Sequence, residues 1–349
     1  VSTTISPENY PLTPGLPDLS KIPYEPIPIL NKTKIRTLVR SIYDIQKLRI
    51  SVGNRIATNF RIKLGVNNNL NEDKDEQQKE NQKIINELKK NFKKITNLMI
   101  DNKSNLDKII TNEDGIISDI LEYKLISHYF ELENIEVNMI KTLGVELENI
   151  SLWKYFLKDV KGCGPLMSGV IISEFDVSKA RHSSSFLKYA GLDVAPDGRG
   201  RGRYSEHLVK TSYIDKNGEE KEKMGLSYKP LVHTKLINVL TGCFLKSKNE
   251  IYVSIFEEYR QRKINTHAVK IGEKIVKTKK KDEDVIKIVN TYAYNDGYNG
   301  KRILLMANRH MAKKFLINVW LVWRVLEGLP ITLPYEQEFL KRNPHGTVN

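Results

Sequence analysis

The chain has 349 residues, 40% hydrophobic and 28% charged, with 56 Lys and Arg against 42 Asp and Glu for a net charge of +14. That length suffices for two or three domains with sizeable cores. No apolar run reaches the length of a membrane span, no signal segment opens the chain, and two cysteines, Cys163 and Cys243, exclude a disulfide framework and a four-ligand zinc site.

A cytoplasmic, reducing compartment is therefore expected. The positive charge predicts a polyanionic partner, DNA or RNA first, because neutralising phosphates supplies much of nucleic-acid affinity. A generally lysine-rich composition is the other reading of the same charge.

Seven of the 13 prolines fall in the first thirty residues (Pro7, Pro11, Pro14, Pro17, Pro23, Pro26 and Pro28). Each fixes φ and removes a backbone donor, so this segment reads as an extended arm or linker over 1–32. From Thr33 on, Ile35, Leu38, Ile42, Ile45, Leu48, Val52 and Ile56 recur every three or four residues, which predicts one apolar helical stripe. A polar turn leads to a second predicted helix with Ile84, Ile85, Leu88, Phe92, Ile95, Leu98 and Met99, and a third runs from about 116 to 143. Together they predict a long antiparallel helical hairpin or coiled coil over 33–150, through which a homodimer or tetramer can form.

Beyond Ser151 the pattern becomes compact. "LWKYFLKDVKGCGPLMSGVIISEF" reads as helix, glycine turn, helix, and "HSSSFLKYAGL" as a short helix capped near Ser183 and ended by Gly191. "YIDKNGEEKEKMGL" has an Asn-Gly turn and predicts an inserted hairpin near 204–228. "KPLVHTKLINVLTGCFLKSKNEIYVSIFEEYRQRK" predicts a long amphipathic helical region. A second insertion near 266–297 alternates as strands do, and a basic-faced helix closes the compact part, leaving 336–349 as a tail.

Two motifs carry candidate chemistry. In "VKGCGP" (160–165) a nucleotide fingerprint fails, because its third glycine position is Met167 and a helix precedes it; a phosphate loop fails for want of Gly-Lys-Ser/Thr. What fits is a helix-hairpin-helix turn, in which Gly162 and Gly164 let backbone N–H groups approach a phosphate beside Lys161, and Pro165 opens the next helix. A plain helix–helix turn is the bland alternative. In "GRGRGRY" (198–204), Arg199, Arg201 and Arg203 can fork onto phosphates and Tyr204 can stack on a base; a flexible solvated loop is the alternative. His182 with its neighbouring serines does not make a nucleophile pair, because adjacent helical residues do not face each other. His310 reads as a packing or backbone-contact residue, and no metal cluster emerges.

The segment "LKDVKGCGPLMSGVIISEFDVSKARHSSSFLKYAGLDVAPDGRGRGRYS" resembles the C-terminal domain of the IS-one-ten family of insertion-sequence transposases, relatives of the Piv-type DNA invertases. Glu174, Asp176, Phe186, Tyr189, Ala190, Gly191 and Leu192 carry the match. "KPLVHTKLINVL", with Lys229 and Lys235, is similar to the family's basic helix. "MANRHMAKKFLINVWLVWRVLEGLP", with Arg309, is similar to its terminal Arg-rich helix, and "KIRTLVRSIYDIQKLRISVGNRI" to its first coiled-coil helix. The likeness spans about 33–335 with two insertions.

It implies a DNA-binding protein of DNA transposition, with a guide RNA as a possible second partner. The family's N-terminal RuvC-like domain, with its metal-binding acidic tetrad, has no counterpart here. Mg2+ and strand cutting are therefore expected only with such a domain upstream or in trans. The chain opens on Val1 and its first methionine is Met99, which fits a cut just after that domain. The family's nucleophilic serine aligns with Asp197, leaving Ser205 as the nearest candidate. The resemblance thus implies either a transposase or recombinase, inactive as this chain alone, or a catalytically inactive architectural or regulatory relative. The expected fold is mainly α: the helical hairpin, then a compact helical domain over 151–335 with a helix-hairpin-helix motif and small β-hairpin insertions.

Overall fold

The computed structural model describes residues 4–11, 13–66, 76, 80, 81, 85, 120–280, 283–295 and 297–333. The fold is mainly α with small antiparallel strand pairs, and the chain divides into two compact units, one of residues 34–146 and one joining the first 33 residues to those from 147 onward. The predicted helix near 84–99 and the 336–349 tail lie outside the described residues.

The 34–146 unit is built on α1 (Ile29–Lys63), most of which it contains, and α2 (Ile120–Leu147). Ile56 and Phe60 pack with Ile126 and Phe130, the apolar positions facing inward at helical spacing. Arg49 donates to the Glu136 carboxylate (2.7 Å) and to the Tyr129 hydroxyl (2.7 Å), and Gln46 to Glu136 (2.8 Å). Lys63 pairs with Glu122 at 3.1 Å. Low numbers on one helix meet high numbers on the other, so α1 and α2 run antiparallel.

In the other unit, α3 (Ser151–Tyr155) and a 3-10 turn lead through the glycine turn into α4 (Pro165–Glu174), which is followed by α5 (Ser183–Tyr189). Met167 through Ser173 are all buried; an apolar helix without a polar face belongs in a core. Ser168 and Ser173 satisfy their hydroxyls on the carbonyls of Cys163 and Val170. The N-cap of α5 is His182, not Ser183, which is buried in the first turn; no side chain caps that end. Its C-terminus is a Schellman motif: Leu192 N–H bonds to Leu187 O (2.8 Å), Gly191 N–H bonds to Lys188 O (3.0 Å), and Gly191 takes φ +65.

The expected hairpins are β2 (Leu208–Ile214) with β3 (Glu220–Leu226) and β4 (Ala268–Lys280) with β5 (Glu283–Tyr294). Between them, the predicted single helical region is broken. α6 (Pro230–Thr234) continues through a π-helical stretch (Lys235–Leu240) into α7 (Thr241–Ser247). Lys248 then takes a left-handed φ of 53, and Asn249 caps α8 (Glu250–His267).

The long α9 (Gly300–Leu326) is the spine of this unit. Phe315 meets the rings of Phe156, Phe244 and Tyr252, while Trp320 donates to Ala180 O (2.7 Å). Each large ring buried here contributes roughly 2–3 kcal/mol.

The proline-rich segment lies along this unit. β1 (Thr4–Ile5) pairs with β6 (Ile331–Thr332), Tyr10 and Leu19 are buried, and the buried Asn318 donates to Pro14 O (2.9 Å). Glu25 N–H reaches Leu326 O and Ile27 N–H reaches the Glu327 carboxylate.

Candidate nucleic-acid interface

The glycine turn is a type II turn, with Cys163 N–H on Val160 O (2.9 Å) and Gly162 at φ +96. Its outer carbonyl, that of Lys161, accepts from Asn249 Nδ2 (2.8 Å), which ties the turn to the start of α8. A Cβ on Gly162 would sit 2.7 Å from Ser247 Oγ, 3.0 Å from Phe244 Cδ1 and 3.1 Å from Cys243 O. Gly162 is therefore fixed by packing as well as by φ. Gly164 differs: it is exposed at φ −71, nothing lies near its missing Cβ, and no side chain caps the α4 N-terminus it precedes. Cys163 is buried beside Ser168, and burial pushes its thiol up to about 12, so it is an inert filler.

The Gly-Arg loop is internally tied. Val194 and Gly200 form an antiparallel bridge, and Gly198 turns the chain with φ +76. Arg201 forks onto Asp193 (Nε 2.9 Å, Nη2 2.8 Å) and reaches Ser227 (3.2 Å), so this guanidinium faces inward. Buried His207 accepts from Gly202 N–H on Nδ1 (3.0 Å), which leaves the Nε2 proton to donate to Asp197 (3.0 Å). The Arg199 N–H and then His207 hold the Asp197 carboxyl below its usual range. Arg199 and Arg203 remain exposed.

This loop forms one wall of a cleft of about 760 Å³. Arg199 and Tyr204 line it from the loop, Tyr259 from α8, Tyr298 from the turn before α9, and Arg302, Met306, Arg309, His310 and Lys313 from α9 itself. The α9 residues lie at i, i+4, i+7, i+8 and i+11, which is one helical face. Among the described residues no carboxylate lines the cleft.

Its rings and cations are held in place. Tyr259 stacks on His310 (4.3 Å, 20°) with Arg262 over its ring at 5.1 Å. Tyr298 stacks on His267 (3.7 Å, 8°) with Arg302 at 4.6 Å. Arg309 donates to Gly191 O (3.0 Å), and a Cβ on Gly200 would come within 3.2 Å of its guanidinium carbon, so a glycine there lets the loop lie on the arginine. Burial, reinforced by Lys314, Arg262 and Lys313, depresses the His310 imidazole to about 3, so this ring is neutral.

Of the residues singled out in the sequence, Arg199, Tyr204 and Arg309 meet in this cleft. Lys161, Gly162 and Gly164 lie in the glycine turn. Lys229 pairs with the largely buried Glu174 at 3.8 Å and its backbone N–H holds Tyr189 O, while Lys235 lies in the π-helical stretch, its basicity lowered by burial. Ser205 is exposed at the start of a 3-10 turn, its hydroxyl on the Glu206 carboxylate.

Sequence reasoning missed Tyr259, Tyr298, Arg302, Met306 and Lys313; the one signal available was the helical spacing of the α9 set. Among the described residues, no three His, Cys, Asp or Glu side chains gather as metal ligands do, and no helix is long and apolar enough to cross a membrane. No protein-family profile, curated protein or solved structure matches the chain.

Proposed function

We propose that this chain binds nucleic acid, as the DNA-holding part of a transposase-type protein. The observation that carries the reading is the cleft in which Arg199, Arg302, Arg309 and Lys313 gather around aromatic rings and which, among the described residues, no carboxylate lines. Such a site attracts phosphate and offers bases a stacking surface, in keeping with the net charge of +14. The role in transposition rests on the resemblance of the chain, above all of its 157–205 segment, to the IS-one-ten family, as does the guide RNA as second partner, while assembly rests on the coiled coil expected over 33–150. On that reading a RuvC-like, Mg2+-dependent domain acts with this chain to cut DNA.

A second reading, an architectural or regulatory relative that binds without cutting, is favoured by the surroundings of Ser205. His207 has one ring nitrogen on Gly202 N–H and the other on Asp197, so neither is placed to take a proton from the serine. Strand transfer by this chain alone, lost in Ser205→Ala, would overturn that second reading.

The test of binding is duplex affinity measured across salt concentrations for the native chain and for Arg199→Ala/Arg302→Ala/Lys313→Ala. Each phosphate contact contributes about 0.9 to the slope of log K against log salt, so the triple variant is expected to flatten it by roughly 2–3 and to weaken binding at low salt. Unchanged affinity and slope would remove the cleft from the interface.

A further inference from the structure

We infer that the cleft between the 193–204 loop and α8/α9 receives an unstacked base of a single strand, held between its tyrosine rings while the flanking phosphates lie along Arg199, Arg302 and Lys313. This rests on the nucleic-acid reading above and names the form of nucleic acid that the site takes.

Shape gives the first reason. A cleft of about 760 Å³ has the size of pockets that enclose single small molecules. In a duplex the bases are stacked inside, and proteins reach them by sending helices or strands into the grooves. A concave site selects what can be inserted into it, and a base freed from its stack is such a group.

The lining gives the second. Tyr259 and Tyr298 each rest on a histidine ring, which fixes them, and a guanidinium lies over each ring; a base stacks on them by taking the place of Arg262 or Arg302, and the displaced guanidinium turns to the flanking phosphates. Tyr204 is 54% exposed and can close over an occupant. His310 is neutral and contributes a ring, not a charge, to the wall. Base–aromatic stacking of this kind tolerates any sequence, since every base has a π-face.

The spread of the cations gives the third. Arg302 and Lys313 are eleven residues apart on one helix, roughly 16 Å at 1.5 Å per residue. One phosphate group cannot bridge that distance, whereas consecutive phosphates of a strand can follow it. A free mononucleotide would leave part of the charge unused.

The experiment uses the full chain and fluorescence anisotropy with a labelled oligo-dT, an oligo-rU of equal length, a blunt duplex of equal length and free thymidine monophosphate as competitor. Either single strand is expected to bind more tightly than the duplex, and the stronger of the two identifies the sugar. Tyr204→Leu and Tyr298→Leu are each expected to weaken the single strand by roughly 5- to 150-fold and to spare the duplex; Tyr298→Phe restores binding. Because Tyr204 is exposed, its variant keeps the test valid should the Tyr298 change unfold the protein. Photocross-linking of 5-iodouracil oligonucleotides should mark Tyr204, Tyr259 or Tyr298. Equal losses for strand and duplex, cross-links only outside the cleft, or displacement by the mononucleotide at concentrations matching the strand would each overturn the inference while leaving nucleic-acid binding intact. Failure to bind any of the oligonucleotides would overturn the parent reading itself.

Discussion

Replacing Gly162 by alanine asks whether that glycine serves the fold or the partner. A residue with a Cβ held at a left-handed φ loses roughly 1–2 kcal/mol, and Gly162 sits at +96. The added methyl group would also press on three atoms. Ser247 Oγ, 2.7 Å away, can rotate, at the cost of its bond to Phe244 O. The Phe244 ring at 3.0 Å is fully buried against Tyr252 and Phe315, and Cys243 O at 3.1 Å is backbone. Neither of these can give way freely, and overpacking of this sort costs about 1–3 kcal/mol.

The sum is a loss of about 2–5 kcal/mol for Gly162→Ala. At Gly164 φ is −71 and the space is open, so the entropy gained by restricting the unfolded chain and the poorer helix cap offset each other to within about 1 kcal/mol. Denaturant unfolding followed by tryptophan fluorescence reads the right unit, since Trp153, Trp320 and Trp323 all belong to it. A loss below about 1 kcal/mol at Gly162, or a greater loss at Gly164 than at Gly162, would refute the packing argument.

Two further changes probe other parts of this unit. Gly164→Asp adds a capping carboxylate at the α4 N-terminus, which should raise stability by roughly 0.5–1 kcal/mol and repel phosphate. Duplex affinity is expected to fall roughly tenfold or more, as a hydrogen bond to a charged group is worth about 1.5–3 kcal/mol, and a stability gain with unchanged affinity takes the glycine turn off the interface. For His310 the unfolded ring takes up a proton below about 6.5, while the folded ring, packed on Tyr259 and facing Arg262, Lys313 and Lys314, stays neutral down to about 3. Its contribution is therefore intact above 6.5 and is lost at roughly 1.4 kcal/mol per pH unit below, about 2 kcal/mol by pH 5; His310→Phe, unfolded in denaturant at pH 7 and pH 5, should show that much less acid sensitivity, and an unchanged difference would refute it.

Where the sequence is periodic or carries turn chemistry, the fold was readable. The 33–56 stripe became α1, and Asn217-Gly218 became a turn with Gly218 at φ +83, because both signals depend on neighbours within a few residues. The first thirty residues have no such period. Their prolines predict an extended backbone, and most of the segment is irregular, but composition does not say what it lies against. That is decided by contacts some 300 positions away, such as Ile27 on Glu327 and Pro14 on Asn318. The break at Lys248 was hidden for a similar reason. The apolar period continues across it, and the break is set by left-handed Lys248, with Asn249 N–H on Phe244 O, together with the Asn249 side chain, which accepts from Tyr252 N–H and donates to Lys161 O.

The site divides in the same way. Arg199, Arg201 and Arg203 each follow a glycine in "GRGRGRY", and composition assigns all three to phosphate. The bridge between Val194 and Gly200 lays the loop back on itself and brings Arg201 onto Asp193, eight residues earlier. That guanidinium then stabilises the loop from within, while Arg199 turns to the cleft and Arg203 to solvent. Tyr259 and Tyr298 are single aromatic residues on different elements, with no spacing to link them until α8 and α9 pack together. What was legible was the chemistry of the side chains, cations beside aromatic rings, because charge and residue type are local properties. The concavity that would distinguish an unstacked strand from a duplex depends on which of those groups the fold turns inward, and one backbone bridge decides that for three otherwise identical arginines.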